Sequence, residues 1–145
     1  MSTNRFSSIL TRLDLAGIYI LQARSVRNVL SAAKENGFTH FRVDLQGVCG
    51  KDAFLETIGR ALSFPDWFGH NWDAFEDCMT DLSWRRAEGY VLILDHCNEL
   101  AAASAETLET ALRILADVTE CWRQEGVSFW TLVDAKAHLN LPELP

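Results

Sequence analysis

The apolar positions of the chain fall into two kinds of pattern, short runs and helical stripes. Gly17 precedes the apolar run Ile18 to Leu21, Gly89 opens YVLILD, and Gly126 is followed by VSFWTLV. A continuous run such as YVLILD suits a strand buried on both faces of a parallel sheet. FTHFRVDL, residues 38–45, alternates in strand fashion, and Gly47 and Gly50 mark the turn after it. Between these runs the apolar residues recur at helical spacing. Val26, Val29, Leu30 and Ala33 form an inner stripe, with Ser25 as a possible cap and Gly37 as the stop. Phe54, Leu55, Ile58 and Leu62 form another, from Lys51 or Asp52 to Leu62. Leu108, Leu112, Leu115, Val118 and Trp122 form a long one, from Ser104, a second possible cap, to about Gln124. The pattern therefore predicts strands at 18–21, 39–45, 90–95 and 128–133, separated by helices. Such alternation implies right-handed crossovers and one mainly parallel sheet covered by helices. Residues 1–14 are polar and mixed, and read as a loose tail or short helix; the closing LPELP is broken by proline.

The remaining stretch, FPDWFGHNWDAFEDCMTDL at residues 64–82, carries the most information. Phe64-Pro65 ends the preceding helical pattern. Gly69 offers a turn position able to take positive φ. Asn71 is an N-cap candidate, and Asp73 sits in the first turn, where negative charge suits the helix dipole. At about 100° per residue, Trp72, Phe75, Cys78, Met79 and Leu82 fall on one arc, while Asp73, Glu76, Asp77, Thr80 and Asp81 fall on the opposite one. Residues 61–84 contain Asp66, Asp73, Glu76, Asp77 and Asp81 but no Lys or Arg. Asp73–Asp77 and Asp77–Asp81 are like-charge pairs at i,i+4, which destabilise an isolated helix. Three readings fit this face: a solvated surface, a carboxylate site for Mg²⁺ or acid–base chemistry, and a surface that meets a cationic partner. A metal or catalytic site needs ligands converging in a cleft, whereas these side chains fan over a helix face.

The run Pro65, Asp66, Trp67, Phe68, Gly69, His70, Asn71, Trp72, Asp73, Ala74, followed by Asp77, Cys78, Met79 and Thr80, resembles the signature of the barstar family, intracellular inhibitors of barnase-type ribonucleases. The resemblance extends from about Phe41 to Val133. It implies an α/β fold with a small parallel sheet flanked by helices, to which the first 40 or so residues add a strand–helix unit. Residues 1–14 would be an N-terminal tail and residues 15–145 a single barstar-like domain. It further implies that Asp73 and Asp77 point into a ribonuclease active site and that Trp67, Asn71 and Thr80 are contact positions. Trp72, Glu76 and Asp81 complete the expected binding face, although Trp67 and Trp72, which flank the acidic arc, fit the core as well as a contact. Glu76, Asp81, Leu82 and Trp72 depart from the residues usual in the family, as does Cys121, which aligns with a contacting glutamate and has Glu120 beside it.

Composition narrows the function. Of 145 residues, 48% are hydrophobic and 23% charged, an ordinary globular balance that suits one domain. The net charge of −7 argues against nucleic acid or an anionic membrane as the direct partner and is compatible with a basic protein. No apolar run approaches a membrane span and no signal peptide opens the chain, so a cytoplasmic protein is expected. Cys49, Cys78, Cys97 and Cys121 lack Cys-x-x-Cys spacing and read as reduced thiols without zinc, Cys78 being an inert buried one. Gly47-Val48-Cys49-Gly50 lacks a Walker or G-x-G-x-x-G pattern and reads as a plain turn. His96-Cys97 are adjacent residues whose side chains diverge, and His40, His70 and His138 show no ligand spacing. Arg85-Arg86 reads as a solvated pair, and Phe68 as core. The expectation is a ribonuclease inhibitor without catalysis, metal or cofactor. The alternative is a regulatory protein of the same fold that binds another basic partner.

Overall fold

The computed structural model describes residues 4–66 and 68–145. Four strands form one parallel sheet in the order β1-β4-β3-β2: β1 (Ile18–Leu21), β2 (Thr39–Asp44), β3 (Gly89–Asp95) and β4 (Ser128–Asp134). The strands agree with the sequence pattern to within one residue at each end. β1, the added strand, pairs with β4 from Ile18 opposite Thr131 to Leu21 opposite Asp134. The first crossover therefore carries the chain from one edge of the sheet to the other, since among the described residues β2 pairs only with β3.

Side chains alternate across the sheet and divide the core in two. Tyr90, Leu92 and Leu94 of β3 and Phe129 and Val133 of β4 face α3 (Lys51–Ala61), α4 (Trp72–Asp81), α5 (Asn98–Ala103) and α6 (Ala105–Gln124). Val91, Ile93, Trp130 and Leu132 face α1 (Arg5–Leu10) and α2 (Val26–Glu35). Both faces of the two central strands are thus covered, which is why they read as unbroken apolar runs.

The N-terminal segment packs: Phe6 and Leu10 of α1 are buried, and the Trp130 indole donates to the Leu10 carbonyl at 3.1 Å. Arg123 of α6 reaches across to the carbonyls of Leu13 and Ala16. The C-terminal segment closes the β1 edge: the Ile20 N–H donates to the Pro142 carbonyl at 2.7 Å, and Ile20 bridges to Glu143. Two caps differ from expectation. Ser25 and Ser104 make no side-chain cap bond. Ser25 ends a 3₁₀ turn that runs straight into α2, and the Ser104 hydroxyl pairs with that of Thr107 at 2.7 Å.

In the middle of β4 the Thr131 hydroxyl is fully buried and has no hydrogen-bond partner among the described residues. A buried hydroxyl without a partner costs about 1–3 kcal/mol. Thr131→Val keeps the shape and removes the orphaned group. It is expected to stabilise the fold by about 1 kcal/mol, read as a higher denaturant midpoint with unchanged slope; a lower midpoint would mean that the hydroxyl is satisfied, for example by water.

Candidate functional site: the polar face of α4

Asn71 starts α4, its carbonyl oxygen Oδ1 accepting from the Ala74 N–H at 2.8 Å. Positive φ falls on His70 (φ 52), not on Gly69. Gly69 lies close to the cap instead: a Cβ there would be 3.1 Å from the Asn71 amide nitrogen, which would have to give by a few tenths of an ångström. At the other end Leu82 takes the left-handed conformation (φ 44) and its N–H closes the helix on the Cys78 carbonyl. That conformation is unfavourable for leucine, but it places the side chain in full burial.

The two arcs separate as the periodicity demands. Phe75, Cys78, Met79 and Leu82 are fully buried. Asp73, Asp77 and Asp81 are exposed, as is Asn71; Glu76, Thr80 and Trp72 are half-buried. Trp72 packs against Phe54 at a tilt and against Phe75 edge-on, each with ring centroids 5.9 Å away, so much of the indole belongs to the aromatic core. The Thr80 hydroxyl turns back to donate to the Glu76 carbonyl at 2.9 Å. Trp67 lies outside the described residues. The structure thus brings Asp73, Glu76, Asp77, Thr80 and Asp81 onto one surface, uses Asn71 as a cap, and holds Trp72 at the margin.

None of the four α4 carboxylates is in an ion pair among the described residues. Asp81 accepts from the Ser83 hydroxyl at 3.1 Å. Over ten residues these carboxylates spread across about 140° of the helix circumference. Among the described residues, no group of three or more His, Cys, Asp or Glu side chains is placed to hold a metal ion.

Long-range packing adds residues that the periodicity of the sequence does not mark. The Trp122 indole donates to the Met79 carbonyl at 2.8 Å and ties α6 to the C-terminal half of α4. Beside that contact lies a cavity of about 460 Å³ whose lining includes Thr80, Asp81, Arg86, Cys121 and Glu125. From the end of α6 it is Glu125, four positions after Cys121, rather than Glu120, that joins Asp81 in this lining; Glu120 is paired with Arg123 at 2.9 Å. The i,i+4 spacing from Cys121 was the available signal. Lys51 sits over the Trp72 ring at 5.9 Å, at the N-terminal end of the face.

His96 and Cys97 do part company. His96 is half-buried and meets Asp44 at 2.7 Å, while Cys97 is fully buried with its thiol on the Leu94 carbonyl. The Asp44 carboxyl is lowered, first by the Gln46 N–H and then by His96. Arg85 of the Arg85-Arg86 pair lies over the Phe41 ring at 5.2 Å. Phe68 is buried against Phe64.

The family described as barstar (barnase inhibitor) matches residues 38–134. The chain belongs to the barstar family. The matched region holds β2, β3, β4 and every helix from α3 to α6; β1 and α2 lie before it. No curated protein matches the chain. Two solved structures of the Aeropyrum pernix ORC2 protein, one of ADPNP–ADP complexes and one of the ADP form, are similar to it with TM-scores of 0.61 each. They are 19% and 18% identical, and the alignments cover 92% and 90% of this chain. The chain spans only 40% of the length of each of those proteins, and likeness at this identity shows the fold alone. The share covered exceeds the barstar match, so part of the N-terminal unit falls within it.

Burial, with Asp77 and Asp81 adding to it, pushes the Cys78 thiol up to about 11; burial, with Asp134 and Asp95, pushes Cys97 up to about 12. Cys49 and Cys121 are exposed, and all four are free. At pH 8 Ellman's reagent is expected to titrate two thiols in the native protein and four after denaturation without reductant. The folded thiols keep their protons above the ordinary value of 9.0. Their contribution to stability is therefore whole below about pH 9 and is lost as pH rises toward 11 and 12. Melting temperature should fall through that window, less steeply in Cys97→Ala. Native Cys78 or Cys97 reacting as fast as Cys49 would contradict this.

Proposed function

We propose that this chain is a cytoplasmic protein inhibitor of a barnase-type ribonuclease and that the polar face of α4 enters the enzyme's cationic active site. The observation that carries this reading is the set of four carboxylates on one helix face, none of them in an ion pair among the described residues. A site that cleaves RNA must hold phosphates with Arg, Lys or His. Carboxylates offer the same groups charge-assisted hydrogen bonds. Asp73 and Asp77 would take the central phosphate positions, with Asn71, Thr80, Trp67 and Trp72 as contacts and Glu76 and Asp81 toward the edges. Nothing in this role calls for catalysis, metal or cofactor. Among the described residues no helix is long and apolar enough to cross a membrane. Membership of an inhibitor family supports a protein partner. A barstar-fold regulator of another basic protein would use the same face and would differ only in what it binds. The ORC2 titles name ADP complexes of that protein; the 47–50 turn here has no Walker pattern and lends a nucleotide role no support.

Truncating Asp77 would leave buried cations of the enzyme unpaired. The expected loss is about 2–5 kcal/mol or more, a range set in part by the barnase–barstar pair itself, and it should appear mainly as faster dissociation. Folding should barely change, because an exposed acid between like charges contributes little to stability. Glu76→Ala should act more on association, in a manner that fades with salt. Binding kinetics of both variants against a barnase-type ribonuclease, with melting temperatures alongside, test the proposal. Unchanged dissociation in Asp77→Ala would remove α4 as the inhibitory element, and a sharp drop in melting temperature would make the carboxylate structural.

A further inference from the structure

On the opposite side of the sheet the charge reverses. α2 and the uncovered face of β2 enclose an open groove of about 1000 Å³. Its walls carry Arg24, Arg27, Lys34 and Arg42, with His40, and no carboxylate lines it. These five side chains are exposed. Arg42 is paired with Asp95 at 2.5 Å; Arg24, Arg27 and Lys34 are in no ion pair among the described residues. Arg27 and Lys34 are seven positions apart, so they share one face of α2 at a separation of about 10 Å along its axis. The bed is apolar: Val26, Leu30 and Phe38 are half-buried there. Phe38 is held flat against Gly89, where a Cβ would fall 2.5 Å from the ring.

The edge of the sheet runs along this groove. β1, the other edge, is closed by Pro142 and Glu143, whereas β2 pairs only with β3 among the described residues. Alternate backbone N–H and C=O groups of β2 therefore face outward. Charged residues on an edge strand blunt unwanted pairing. That role accounts for His40 and Arg42 on β2 and leaves Arg24, Arg27 and Lys34 on the helix side unexplained.

We propose that the groove and the β2 edge together form a second binding surface, whose occupant is an extended acidic polypeptide segment of another protein. Such a segment adds as a strand beside β2, its backbone meeting the outward groups of that strand. Every second side chain then points to the α2 side, opposite His40 and Arg42. Carboxylates at these positions meet the free cations of α2, and an apolar side chain among them covers Leu30 and Phe38. A peptide fits better than a nucleic acid for three reasons: the apolar bed, the unpaired strand edge, and a whole-chain charge of −7 that opposes a ligand charged at every repeat. This surface is independent of the ribonuclease reading, because α2 and α4 lie on opposite faces of the sheet.

The test is fluorescence anisotropy of the full chain with a labelled peptide of about seven residues, enough to span β2. The peptide carries Glu, Leu, Glu and Glu at alternate positions with Thr between. Saturable binding is expected, weakened about tenfold or more in Arg27→Glu/Lys34→Glu, unaffected by Asp77→Ala, and lost when the peptide backbone is N-methylated at alternate residues. Both charge reversals are on exposed side chains, and circular dichroism confirms that the variant folds. The proposal is overturned by absence of saturable binding, by equal binding to the reversed variant, or by insensitivity to N-methylation. It is also overturned if an oligouridylate binds this groove more tightly than the peptide, or if sedimentation shows that copies of the chain fill it themselves.

Discussion

Burial of one face of α4 is the constraint on which the site depends. Phe75, Met79 and Leu82 are fully buried, and full burial of such side chains stabilises by about 1.5–3 kcal/mol each. Like-charge pairs at i,i+4 cost about 0.2–0.5 kcal/mol each, and the opposite face carries two of them, Asp73–Asp77 and Asp77–Asp81. Packing wins by a wide margin. The helix can therefore hold an acidic surface that no isolated helix of this sequence would support. The Asn71 cap and the Trp122 bond to the Met79 carbonyl fix its two ends. The carboxylates are thus presented on a rigid element, and little ordering cost remains for a partner to meet.

The sheet makes a second separation possible. Because β3 and β4 are covered on both sides, the two helical layers are insulated from each other and can carry opposite charge. The acidic surface lies with α4, and the basic groove lies between α2, on the unit that precedes the barstar match at residues 38–134, and β2, which falls within it. A net charge of −7 describes neither surface. The added unit contributes more than one extra strand: it brings its own helix, and that helix brings its own chemistry.

Much of this was legible in the sequence. The strands and the four longer helices announce themselves by period, and the two arcs of α4 follow from 100° steps alone. What was not legible depends on contacts between distant residues. The place of β1 beside β4 is set by pairing across more than a hundred residues of chain. α5 has the sequence NELAAA, too short and too poor in large side chains to show a stripe. The positive φ falls at His70 rather than Gly69, and nothing in the local sequence marks a histidine for it. Glu125 joins the α4 surface only because α6 runs alongside it. The groove was hidden because its cations come from α2 and β2 and are outnumbered in the total by acids elsewhere.

Hydrogen exchange of the complex with a barnase-type ribonuclease reads the contact surface without mutation. Slowed exchange on binding is expected at α4 and the segment leading into it, with the amides of α2 and β2 unchanged. Protection centred on α2 and β2, with α4 exchanging as in the free protein, would contradict this expectation.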